Sequence, residues 1–181
     1  MIDKPLIALA PVGDAPPETV AEIGPILAAR LDAKVVLAPG IGLMSSAYDA
    51  HRRQYHSTQI LDALALTKRG DWERMLGIAD VDLYVPDLNF VFGEADRRRG
   101  VAVFSLARLR PSGFSENAHA LFLKRAATEA IHELGHTYGL SHCSDRDCVM
   151  WFSNTLAESD RKGSTFCAAH ASQLATARQH K

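Results

Sequence analysis

The sequence predicts an α/β fold that ends in an irregular, cysteine-bearing tail. Short runs rich in Val, Ile and Leu alternate with segments of helical spacing over the first two-thirds of the chain. One long helical segment starts near residue 115. Composition then shifts at about residue 138, where the strand-like runs end and Cys, Ser and Asp accumulate.

The elements follow in order. Residues 6–10, between Pro5 and Pro11, read as a short buried strand. Residues 18–31 carry Val20, Ile23, Leu27 and Leu31 at helical spacing; Pro25 inside that run kinks the helix or shifts its start. Residues 34–38 form a Val-rich strand that stops at Pro39-Gly40. Residues 55–67 place Ile60, Leu61, Leu64 and Leu66 on a helix closed by Gly70. Residues 81–85 are a strand ended by Pro86. Residues 89–92 and 101–106 are two more, joined by a 93–100 connection that is long for a simple hairpin. Ser115 with Asn117 caps a long helix running through Leu121, Leu123, Ala127, Ala130 and Ile131 to about His136. A last helix covers residues 166–179.

Length and charge narrow the function classes. A chain of 181 residues fits one domain. It can bury about 70% of its unfolded surface, so it needs no metal merely to fold. Hydrophobic residues are 47% and charged residues 23%, an ordinary globular balance. Lys and Arg number 20 against 21 Asp and Glu, so no nucleic-acid partner is indicated. The basic run Arg97-Arg98-Arg99 before Gly100 reads as a solvated turn. No stretch of eighteen apolar residues exists, and the 6–10 run is too short for a signal segment. A cytoplasmic protein without membrane contact is expected, in a compartment where free thiolates survive.

The informative stretch is His132-Glu133-Leu134-Gly135-His136-Thr137-Tyr138-Gly139-Leu140-Ser141-His142. His132 and His136, four residues apart, stack on one helix face and can share a metal. Glu133 lies beside that face, within reach of a metal-bound water. Gly139 falls three residues after His136, where a left-handed residue ends a helix and turns the chain. His142 then approaches the same metal from outside the helix. Three imidazoles leave a fourth position open, as in a catalytic zinc site. Five fixed residue types over eleven positions arise by chance on the order of once in a million start points. The expected chemistry is hydrolysis: zinc lowers the pKa of its water to about 7, and Glu133 serves as general base.

The three cysteines, Cys143, Cys148 and Cys167, all follow this motif. An odd, tightly grouped number is a poor disulfide framework. Cys143 with Cys148, then Cys167 with His170, is the paired spacing of a closed structural zinc site. Cys148 and Cys167 as small core residues is the plainer alternative.

From His132 to His170 the sequence resembles the archaemetzincins, a metzincin-like peptidase family. The match rests on the long motif, His142-Cys143, Cys148-Val149-Met150, Phe152-Ser153-Asn154, Asp160, Lys162 and Phe166-Cys167. Weaker echoes lie at Arg53-Gln54-Tyr55, at residues 88–95 and at residues 105–109. The resemblance implies a mixed, mostly parallel sheet with flanking helices, a catalytic zinc and a second, structural zinc. It implies that Met150 forms an apolar floor beneath the histidines. It also implies a strand at residues 89–92 flanking the cleft, where a free edge would pair with an extended peptide; a buried central strand fits the sequence equally well. One departure stands out. The family pattern has a fourth cysteine where this chain has His170. Histidine is a competent ligand, so a Cys3His site is expected; three ligands completed by water, or no metal, are the alternatives.

The expected protein is thus a monomeric zinc metallopeptidase with two zincs per chain, acting on peptides and loosely aminopeptidase-like. It is one catalytic domain over residues 1–181, with the sheet and active-site helix in 1–138 and a small zinc-binding subdomain in 139–181. A zinc-stabilised peptide-binding module with a narrow or plugged cleft is the competing reading.

Overall fold

A computed structural model describes residues 4–112 and 117–179. In chain order its elements are β1 (Leu6–Val12), α1 (Pro17–Leu31), β2 (Lys34–Leu37), β3 (Tyr48–Asp49), β4 (Gln54–His56), α2 (Ser57–Thr67), β5 (Arg74–Ala79), β6 (Leu83–Tyr84), β7 (Gly93–Asp96), β8 (Val101–Ser105), α3 (Ala118–Thr137), α4 (Leu156–Arg161) and α5 (Ala168–Gln179).

The main sheet has the order β2-β1-β5-β8-β7. The first four strands are parallel, and β7 runs antiparallel to β8 at one edge. Alternation along the central strands builds two cores. Ile7, Leu9, Leu76, Ile78, Ala102 and Phe104 face α1 and α3. Ala8, Ala10, Met75, Ala79, Val101 and Val103 face α2. Covering both faces is what makes β1 and β8 read as continuous apolar runs. Pro25 does not end α1, because it lies on the exposed side of the helix.

Four differences from the sequence reading have physical causes. β5, at the centre of the sheet, has no counterpart in the sequence pattern because Gly77 interrupts its apolar run. Glycine is needed there: a Cβ would lie 2.7 Å from Leu64 Cδ1, so α2 packs onto bare backbone. Residues 89–92 are not a strand, although the Val91 N–H donates to the Leu83 carbonyl. The strand is the next segment, β7, whose sequence Gly-Glu-Ala-Asp has no apolar alternation and suits a sheet edge. A second sheet, β3-β4-β6, is made of strands too short to carry a pattern. The tail also holds α4, whose capping box joins the Thr155 hydroxyl to the Glu158 backbone and the Glu158 carboxylate to the Thr155 N–H. The Ser115 cap falls outside the described residues; Asn117 precedes α3 without a side-chain cap bond.

Candidate metal centres and cleft

Helix α3 carries His132, Glu133 and His136 on the side that meets β7 and the tail. It ends at Thr137, and Gly139 adopts φ +85°, the left-handed conformation that redirects the chain. His142 is thereby brought back, and one ring nitrogen each from His132, His136 and His142 lie within 4.8 Å of one another.

The hydrogen bonds around these rings test the fit of a metal. His132 Nδ1 lies 2.8 Å from the Val149 carbonyl and His136 Nδ1 lies 2.8 Å from the Leu140 carbonyl. A carbonyl only accepts, so both Nδ1 atoms must donate, and both Nε2 atoms carry lone pairs. Those two Nε2 atoms are 3.1 Å apart. Two lone pairs so close call for a metal ion or a shared proton between them, and the spacing fits a metal: a tetrahedron with arms of about 2.05 Å has edges of about 3.3 Å. Burial holds His132 well below the ordinary imidazole range and also lowers His136 and His142. All three are therefore neutral at neutral pH, each with a lone pair that could hold a metal.

Met150, fully buried, sits beneath the helix between the two histidines. A Cβ on Gly135 would lie 2.5 Å from its Sδ. His142 also packs on Phe152, ring centroids 4.8 Å apart.

The second cluster is equally legible. Cys143, Cys148, Cys167 and His170 offer ligand atoms within 4.8 Å of one another. Cys143 Sγ is 3.9 Å from Cys167 Sγ, far beyond the ~2.05 Å of a disulfide. His170 Nδ1 is 3.7 Å from Cys148 Sγ and 3.3 Å from Cys167 Sγ. Arms of about 2.3 Å give a tetrahedral edge of about 3.8 Å, so these spacings fit zinc. The backbone N–H and then the side chain of His170 draw the Cys167 thiol down to about 6, while burial pushes Cys148 up to about 11. His170 Nε2 donates to the Ser141 carbonyl at 3.1 Å, which leaves Nδ1 as the free lone pair.

Between β7 and α3 lies a cleft of about 440 Å³. Residues 88–95 form one wall, and Phe152, Ser153 and Asn154 form part of the other. The three histidines, Glu129 and Glu133 lie between them. Glu133 is pressed against the start of β7. A Cβ on Gly93 would lie 2.6 Å from Glu133 Cγ and 2.6 Å from the Val103 carbonyl oxygen. Gly93→Ala should therefore displace Glu133, because the backbone oxygen cannot yield. A fall of about 10²-fold in kcat/KM with zinc content retained is expected. Steady-state kinetics beside zinc analysis checks this, and wild-type kinetics in the variant would contradict it.

Some residues of the site carried no assigned role in the sequence reading. Glu129, one turn before Glu133 on α3, is 2% exposed and stands 3.1 Å from the fully buried Lys162 ammonium, without an aligned hydrogen bond. Ser159 donates to the same carboxylate. Glu94 lines the cleft and accepts from the Ser57 and Thr58 hydroxyls. Burial, then Glu129, pushes the Glu133 carboxyl well up, and Lys162 pulls it the other way. A spacing of four residues between Glu129 and Glu133 was the one available signal; nothing in sequence marks a lysine as buried.

This fold, with an open three-histidine set beside a glutamate and a closed Cys3His set, defines a zinc-dependent metallopeptidase. The model of peptidase family M54 matches residues 14–176. The archaemetzincin of Pyrococcus furiosus is 36% identical over 172 residues, covering 91% of this chain and 89% of that one. That of Methanopyrus kandleri is 47% identical over 125 residues, covering 69% and 68%. The crystal structure of an archaemetzincin from Methanopyrus kandleri superposes with a TM-score of 0.84 at 36% identity, over 98% of this chain and 97% of that one. One from Archaeoglobus fulgidus, in complex with malonate, gives 0.80 at 36%, over 93% and 99%. The chain belongs to peptidase family M54, the archaemetzincins. Its substrates are accordingly peptides or proteins. No described helix is long and apolar enough to cross a membrane.

Proposed function

We propose that peptide bonds are cleaved at the His132, His136 and His142 centre with Glu133 as general base, and that Cys143, Cys148, Cys167 and His170 hold a structural zinc. The observation that carries this is the pair of Nε2 lone pairs 3.1 Å apart, opening on the cleft that Glu133 also lines. When bound, zinc supplies a Lewis acid that polarises the scissile carbonyl and acidifies water. Glu133 accepts a proton from the attacking water and returns it to the leaving amine nitrogen. Gly93 sets the depth of that carboxylate, and the outer edge of β7 offers backbone groups to an extended substrate. Met150 keeps the underside of the centre apolar and dry.

The open cleft weighs against a plugged binding module, since about 440 Å³ accommodates a peptide segment. An aminopeptidase-like preference finds support in Glu94, a carboxylate in the cleft held by two hydroxyls. Three free cysteines suit a cytoplasmic setting, and a monomer is proposed with it. Residues 139–181 act as the small zinc-bound part of a single domain.

The test is digestion of a mixed peptide library, half of it N-acetylated, with products identified by mass spectrometry. Zinc-loaded protein should generate new N-termini, and chelation should abolish them. Cleavage confined to free N-termini would establish the aminopeptidase preference, and cleavage of both halves would remove it. No cleavage by protein holding two zincs would overturn the proposal.

Proton competition gives a further expectation. The histidine pKa values are depressed, so the ligands stay neutral below the ordinary value of about 6.5. Zinc at this centre should be retained as pH falls from 7.5 to about 6.5 and be released only below it. Equilibrium dialysis across that range checks the point; loss already setting in above pH ~7 would contradict it.

A further inference from the structure

Resting on the reading that both ligand sets hold zinc, we infer that His170 couples the two centres: it ligates one metal through Nδ1 and, through its Nε2–H on the Ser141 carbonyl, holds the backbone that presents His142.

His142 is the one ligand of the histidine centre that α3 does not carry. Among the described residues neither of its ring nitrogens has a carbonyl partner like those of His132 and His136, and the residue is exposed. Beyond the packing of its ring on Phe152, its position depends on the backbone on either side. Leu140 is tied twice, its N–H to the Gly135 carbonyl at 3.1 Å and its carbonyl to His136. Cys143 is tied by its N–H to the Met150 carbonyl at 2.9 Å and by its thiol in the second cluster. Ser141, exposed and immediately before His142, is held through its carbonyl by His170.

A cysteine at position 170 could fill the fourth ligand place but has no second nitrogen to reach Ser141. The two nitrogens of His170 thus perform two jobs, and metal on Nδ1 strengthens the Nε2–H as a donor. Filling of the thiolate centre then tightens the histidine centre, and the coupling is reciprocal. His170 is a positioning residue for the catalytic metal as well as a ligand of the other one.

His170→Cys separates the jobs. The variant should still hold two zincs at saturation, and its cobalt-loaded form should keep the thiolate-to-metal absorption of a closed site. Zinc affinity at the histidine centre, measured by chelator competition, should fall about tenfold. Affinity within about twofold of wild type would overturn the inference while leaving the two-zinc reading intact. Wild-type protein lacking zinc at the thiolate centre would instead overturn that reading, and the coupling with it. Should the variant fail to fold, wild type decides the matter by NMR. Cadmium-113 coupled to His170 Nδ1, with a slowly exchanging Nε2–H, is the expected result. Coupling through Nε2, or no coupling to His170, would overturn the assignment.

Discussion

Replacing Glu133 with Gln is expected to lower kcat by about 10²–10⁴-fold while both zincs stay bound. The substitution keeps the shape of the side chain, so the tight fit against Gly93 and Val103 is preserved. What it removes is the basic oxygen. Burial pushes the Glu133 carboxyl up toward its neutral form, and a dication in the adjacent histidine set would pull it back. The variant therefore reads the base and little else. A fall in kcat without a comparable rise in KM, beside unchanged zinc content, is the expected pattern. Activity within about tenfold of wild type would remove Glu133 from the mechanism.

The largest stability effect is expected from Lys162→Met. The Lys162 ammonium and the Glu129 carboxylate are 0% and 2% exposed, so the substitution strands a buried carboxylate one helical turn from Glu133. Removing one partner of such a pair costs about 3–5 kcal/mol. For a chain of this size that is a fall of roughly 6–20 °C in Tm. Adding Glu129→Gln removes the stranded charge, so the double variant should recover most of the loss. Calorimetry on the two variants checks this; a double variant as unstable as the single would mean that packing, not charge, is lost. The pair is held from outside by the Arg125–Asp160 fork, with both N–H···O distances 2.6 Å, which anchors α4 to α3.

What the sequence disclosed and what it withheld divide along physical lines. The His132–His142 stretch was readable because helix periodicity and one left-handed glycine turn fixed spacing into fixed geometry, and the structure gathers the three rings as that geometry requires. The thiolate cluster was readable from pairing in sequence. The parallel sheet was only partly readable. Gly77 blurred β5 because close packing of α2 outweighed strand propensity, and β7 was displaced to residues 89–92 because an edge strand needs no apolar face. The Glu129–Lys162 pair and the Ser141–His170 bond were invisible, since each joins residues about thirty positions apart through tertiary packing alone.

Zinc content per chain, measured by elemental analysis on wild type beside His136→Ala, tests the two-centre account most directly. Two zincs falling to one is the predicted result, because the variant loses a ligand of the open histidine set and leaves the closed thiolate set untouched. Two zincs in both proteins, or none in either, would contradict it.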